Sequence, residues 1–169
     1  MDQTKNKPAP PTEQTVADRI SDRELVVRRS FAAPARILFE AWTRPELFKQ
    51  WWVPKSFGLT LLSCEMDVRV GGKYRLEFGH PASDQPMAFF GSYIEVIPDA
   101  RVAWTNEESP DGATTTVTFE AVDGRTNIVI HDRFPSKEAL DNEIASGATS
   151  GMSETLAQLE SFVSDLART

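Results

Sequence analysis

The chain has little sulfur and little imidazole: one cysteine, Cys64, and two histidines, His80 and His131, in 169 residues. A single cysteine excludes an intrachain disulfide, argues against a thiolate zinc site and suits a reducing compartment. Two histidines without an i, i+4 partner make a poor metal site. Positive charge is also short, with 18 Lys and Arg against 25 Asp and Glu and a formal net charge of −7. With no Lys/Arg cluster to override that sign, nucleic acid and anionic membranes are excluded as principal partners, because both demand a basic patch. No apolar run approaches the length of a membrane span, so stable membrane insertion is not expected. The opening residues MDQTKNKPAPPTEQ lack the apolar h-region of a signal peptide, and the cytoplasm is the expected location. Gly71-Gly72 leads into Lys73-Tyr74, not into a helix, so it reads as a turn and not as a phosphate-binding loop. No cofactor is called for.

What is present is an ordinary globular composition, 40% hydrophobic, enough for one domain with a sizeable core. Residues 1 to about 22 are polar, with Pro8, Pro10 and Pro11, and are expected to form a mobile arm ahead of a domain over 23–169. ELVVRRSF (24–31) predicts a first strand. Two short helices follow, the second opened by Thr43-Arg44-Pro45-Glu46, which has capping-box spacing with proline in the first turn. Leu47, Phe48, Trp51 and Trp52 form one stripe of that helix, which Pro54 stops.

From about Leu59 the period changes to that of strands, joined by short turns. Among these, Asp123-Gly124 is the strongest hairpin signal. About seven strands result, hence an antiparallel sheet. Apolar residues at spacings of three or four from Leu140 to Leu166 predict one long helix, roughly 136–166, on the order of 45 Å. Gly147 and Gly151 lie inside it and predict a bend or a close approach. A curved sheet around one helix leaves space between them.

Alternation assigns Tyr74, Leu76 and Phe78 to the interior, with Val102 and Trp104, Phe90 and Ile94, and Val117 and Phe119. These residues either line a pocket or fill an ordinary core. Asp132 follows Ile128 and Ile130 on one phase, which brings a carboxylate to the apolar interior or to an exposed strand end. A buried carboxylate neutralises or finds a partner, and Arg29, in phase with Val27 and Phe31, is the candidate. Of Trp51 and Trp52, neighbours about 100° apart on a helix, one is expected under the sheet rim and the other at the cavity mouth or the surface.

The stretches RSFAAPARILFEAWTRPELFKQWWVP, DVRVGGKYRLEF, GSYIEVIPDARVAWT and VTFEAVDGRTNIVIHDRF, taken in this order, resemble the START-like superfamily, also called SRPBCC or the polyketide cyclase/dehydrase and lipid-transport group. Within it they are most similar to the family of homologues of the activator of heat-shock-protein ATPase. The resemblance implies an α+β helix-grip fold: a curved antiparallel sheet wrapped around a long C-terminal helix, with an internal apolar cavity. Many relatives carry Gly-Trp where this chain has Gly151-Met152, which softens that part of the wall.

The leading expectation is therefore binding of a small hydrophobic molecule, lipid-like or aromatic, in that cavity. Arg29, Trp51, Trp52, Tyr74, Phe78, Phe90, Trp104, Phe119, Asp132, Met152 and Leu156 are the candidate ligand-binding residues. Asp132 and Arg29 would orient the ligand. The alternatives are a cyclase- or hydrolase-type enzyme using the same cavity, with Asp132 as its acid or base, and a chaperone-contacting module. No catalytic residue is assigned, and no feature sets the oligomeric state.

Overall fold

The computed structural model describes residues 14–168, side chains at 148–150 and 167–168 excepted. Strand β1 (Val16–Arg19) and strand β2 (Glu24–Phe31) precede helix α1 (Ala35–Thr43), helix α2 (Pro45–Phe48) and a 3₁₀ turn (Lys55–Phe57). Strands β3 (Thr60–Met66), β4 (Lys73–His80), β5 (Ser83–Ile97), β6 (Arg101–Thr105), β7 (Thr114–Val122) and β8 (Arg125–Arg133) follow, then helices α3 (Lys137–Ala145) and α4 (Ala148–Arg168). The eight strands form one antiparallel sheet in the order β1-β2-β8-β7-β6-β5-β4-β3. This is an α+β helix-grip fold.

The connection from β2 to β3 runs from near one edge of the sheet to the other, and its helices close one end of the concave face. Helix α1 turns Leu38, Ala41 and Trp42, an i, i+3, i+4 set, into the core. Helix α4 supplies Leu156, Leu159 and Val163, an i, i+3, i+7 set, all at most 1% exposed. The hairpin between β7 and β8 has positive φ at both Asp123 (52°) and Gly124 (81°), the geometry its Asp-Gly dipeptide suits. No helix among the described residues is long and apolar enough to cross a membrane.

Four local expectations are corrected. Part of the expected mobile arm is a strand: β1 pairs with β2, and Arg19 is tied to Asp141 on α3 at 2.7 Å. Residues 1–13 of the arm lie outside the described residues. The long C-terminal helix is two helices, because Gly147 adopts a left-handed φ of +87° that no helix interior accommodates. The capping box does not form. The Thr43 hydroxyl instead donates back to the Phe39 carbonyl (2.7 Å), and Glu46 pairs with Arg44 (2.8 Å). Finally, α2 ends at Phe48, so Trp51 and Trp52 stand on the turn beyond it.

Helix α3 has the cap that α2 lacks. Ser136 Oγ accepts from the Ala139 amide at 3.0 Å, satisfying one of the orphan donors of the first turn. Ser136→Ala is expected to lower stability by about 1 kcal/mol, read as a shift in urea midpoint with an unchanged slope.

A two-lobed cavity between sheet and helices

The tryptophans are held by packing on one side and by helix α4 on the other. Trp51 is 1% exposed, and its indole N–H donates to the Ala41 carbonyl at 3.0 Å. Its ring meets Trp42 edge-on at 4.7 Å and Trp52 at 5.6 Å, while Trp52 stacks on Phe48 at 4.7 Å. Three side chains of α4 then staple the following backbone. Gln158 donates to the carbonyls of Trp51 (2.9 Å) and Val53 (2.8 Å) and accepts from the Lys55 amide (2.9 Å). Thr155 donates to the Trp52 carbonyl at 3.2 Å. Glu154 accepts from the Ser56 amide (2.9 Å) and from its hydroxyl, and these bonds hold its carboxyl below the usual range. Positions 155 and 158 stand three apart and 154 and 158 four apart along α4, so one side of the helix presents all three. At Gly151 an added Cβ would stand 2.6 Å from the Phe57 ring, so the 3₁₀ turn rests directly on the helix there.

Between this stapled segment, the concave face of the sheet and the two C-terminal helices lies a cavity with two lobes, of about 310 and 400 Å³. Trp42, Trp52, Phe89, Trp104, Glu143 and Met152 border both, which makes them the walls of the constriction. Beyond it the first lobe is apolar, bounded by Phe48, Phe57, Leu59, Met66, Leu76 and Phe78. The second is the more polar of the two, with Asp132, Glu108, Asp111, Thr115 and Asn142 among its walls.

A chain of hydrogen bonds runs along the wall from one lobe to the other. The Tyr74 hydroxyl donates to the Thr105 carbonyl (2.9 Å) and lies 3.2 Å from Asn106 Oδ1. Asn106 Nδ2 donates to the Ala113 carbonyl (2.6 Å) and to Thr115 Oγ1 (3.1 Å). Thr115 Oγ1 donates in turn to Asp132 Oδ1 at 2.6 Å. Burial pushes the Asp132 carboxyl up to about 6 despite the Thr115 bond, with Glu143 adding like-charge repulsion. Glu143 is raised by burial and then by Glu108. Burial also raises the phenols of Tyr74 and Tyr93, so both stay protonated at neutral pH.

Of the candidate residues, the structure brings Trp52, Tyr74, Phe78, Trp104 and Met152 to the first lobe, with Trp52, Trp104, Met152 and Asp132 at the second. Trp51, Phe119 and Leu156 are buried in the core and border neither lobe. Phe90 is on the wrong face: it pairs with Arg75, whose guanidinium lies 5.8 Å from its ring on the outer side, while Phe89 and Tyr93 face inward. Ile94, expected beside it, is 48% exposed. Arg29 is not the partner of Asp132. It pairs in register with Ile128, four residues along β8, and faces Glu160 at 3.9 Å. His131 points to the other face, 2.8 Å from Glu24, and His80 Nδ1 accepts from the Ala82 amide. Cys64 lies 3.6 Å from the Met66 sulfur.

Matching of the chain to known families turns on residues 32–164, which fit the sequence profile described as Activator of Hsp90 ATPase homolog 1-like protein. The chain belongs to that family. No curated protein matches it. Among solved structures, the fold is shared with a Rhodobacter sphaeroides protein at 24% identity, TM-score 0.83, over 90% of this chain and 99% of that one. A Nitrosomonas europaea protein follows at 21% identity, TM-score 0.80, over 89% and 100%. A Chromobacterium violaceum protein has 27% identity and a TM-score of 0.70 over 82% of this chain and 95% of its own.

Proposed function

We propose that the chain binds a small, mainly apolar molecule within the two-lobed cavity. Family membership supports a ligand-binding or chaperone-contacting module, and one observation favours the first: an aromatic-walled space of ligand size, with a hydrogen-bonded polar wall at one end. Each lobe alone reaches the lower range of small-molecule sites, and few convergent polar groups set against apolar walls is their usual composition. The apolar lobe takes the body of the ligand, with Trp52, Tyr74, Phe78, Trp104 and Met152 in contact. Asp132 and Asn106 orient its polar end.

The test uses N-phenyl-1-naphthylamine, a neutral apolar fluorophore. Saturable one-to-one binding with enhanced emission is expected. Met152→Trp places an indole in the constriction and is expected to weaken binding at least tenfold without unfolding the protein. A probe that fails to bind, or that binds the variant as tightly, sinks the reading.

A further inference from the structure

The polar lobe has a sign. Its lining carries four carboxylates, Glu108, Asp111, Asp132 and Glu143, and no lysine, arginine or histidine among the described residues. They come from three separate elements: β8, the β6–β7 loop and α3. None of the four is in an ion pair among the described residues. Asp132 uses one oxygen on Thr115, while its other oxygen, like the Glu143 carboxylate, has no hydrogen-bond partner there. Most other acidic groups of the molecule are answered: Glu24 by His131, Glu46 by Arg44, Asp141 by Lys137 and Arg19, and Glu154 by Ser56. The carboxylates of Asp132 and Glu143, both partly buried, line this lobe beside the aromatic side chains of Trp42, Trp52, Trp104 and Phe89.

Resting on the reading of the cavity as a ligand site, we infer that its ligand is a cationic amphiphile: an apolar or aromatic body ending in an amine or quaternary ammonium head, with the head in the polar lobe. An anionic head would meet Asp132 and Glu143 in a space without a countercharge, where desolvation strengthens the repulsion. A neutral head would cover the same carboxylates without compensating them. An ammonium head does compensate them, and the indoles of the constriction attract it through their quadrupoles. A bare metal ion fits less well, since no group of three or more metal-ligating side chains among the described residues is arranged to hold one.

Charge and chain can be separated with three ten-carbon probes below their micelle concentrations: decyltrimethylammonium, 1-decanol and decanoate. They are titrated calorimetrically into the full chain at pH 8 and fixed ionic strength. Decyltrimethylammonium is expected to bind one-to-one and at least tenfold more tightly than decanol, with decanoate weakest. In Asp132→Asn, and separately in Glu143→Gln, the ratio of ammonium to alcohol affinity is expected to fall at least threefold. Glu143 lies on a partly exposed helix face, so that variant tests the inference even if the first misfolds. Decanol binding as tightly as the ammonium, or ratios unmoved in both variants, overturns the charge inference and leaves the cavity reading standing. Failure of all three, with no response to the naphthylamine, overturns both. Ammonium uptake well above one per chain is adsorption to an acidic surface and overturns the inference as well.

Discussion

Asp132→Asn is expected to make the protein more stable at pH 8, and no more stable at pH 4. The folded state holds this carboxyl at about 6, against the ordinary 3.8. Between those values the folded chain binds more protons than the unfolded one. Its stability from this residue is therefore complete below about pH 4 and is lost as pH rises through about 6. Above that window the ionised form carries the full penalty, about 3 kcal/mol at 1.36 kcal/mol per pKa unit. Asparagine keeps an oxygen for the Thr115 hydroxyl and removes the charge that burial and Glu143 oppose, while His131 on the other face offsets little of it. For a chain of this size the gain corresponds to roughly 6–12 °C in melting temperature. Parallel melts of the two proteins from pH 4 to pH 8 read it directly. A constant offset across that range, or a loss at pH 8, would show that the carboxylate is not penalised by its site. A residue that costs stability where a neutral isostere would not is one that folding alone does not select.

The second large effect lies in the paired tryptophans. Trp51→Ala is expected to remove about 3–5 kcal/mol, the range for deleting a large aromatic from a packed core. The buried Ala41 carbonyl also loses its indole donor. Trp52→Ala should cost less, because that ring is half-buried at the cavity wall and loses mainly its stack on Phe48. Urea unfolding followed by far-ultraviolet circular dichroism, which does not depend on the indoles, gives both values. Equal losses at the two positions would contradict the division of labour between a core residue and a wall residue.

Much of the sheet was legible because its strands alternate cleanly. In KYRLEF and TTTVTFEAV one phase is apolar and the other polar, so Tyr74, Leu76, Phe78, Val117 and Phe119 can be turned inward without knowing their neighbours. MAFFGSYIEVI carries apolar residues on both phases. Its inward face is set by the pairing of Leu76 with Phe89 and Arg75 with Phe90, which is information held in another strand. A register shift between Tyr93 and Glu95 then changes the phase again before Val96. Arg29 failed for a related reason: being on the right face says nothing of how far along the strand a partner stands.

The polar residues of the site were the least legible. Glu154, Thr155 and Gln158 look like the solvated side of an amphipathic helix, and their role depends on a backbone segment about a hundred residues away. Asn106 and Thr115 lie in and after a loop punctuated by SPDG, where polar residues are unremarked. Glu143 belongs to a helix that periodicity fused with the next one. Gly147 was visible as an anomaly in that run, and its left-handed backbone is what the anomaly meant.

That break divides the floor of the cavity between two foundations. Helix α4 is built into the principal core with Leu156, Leu159 and Val163. Helix α3 is seated on a separate small cluster through Ala139 and Leu140, which pack with Leu25, Ala113 and Phe134. Gly147 joins the two, so the helix that carries Asn142 and Glu143 at the acidic lobe is anchored apart from the helix that carries Met152 and Thr155 at the aromatic one. Loosening of α3 would break that minor cluster and not the whole core, so a local opening there and global melting draw on different free energies.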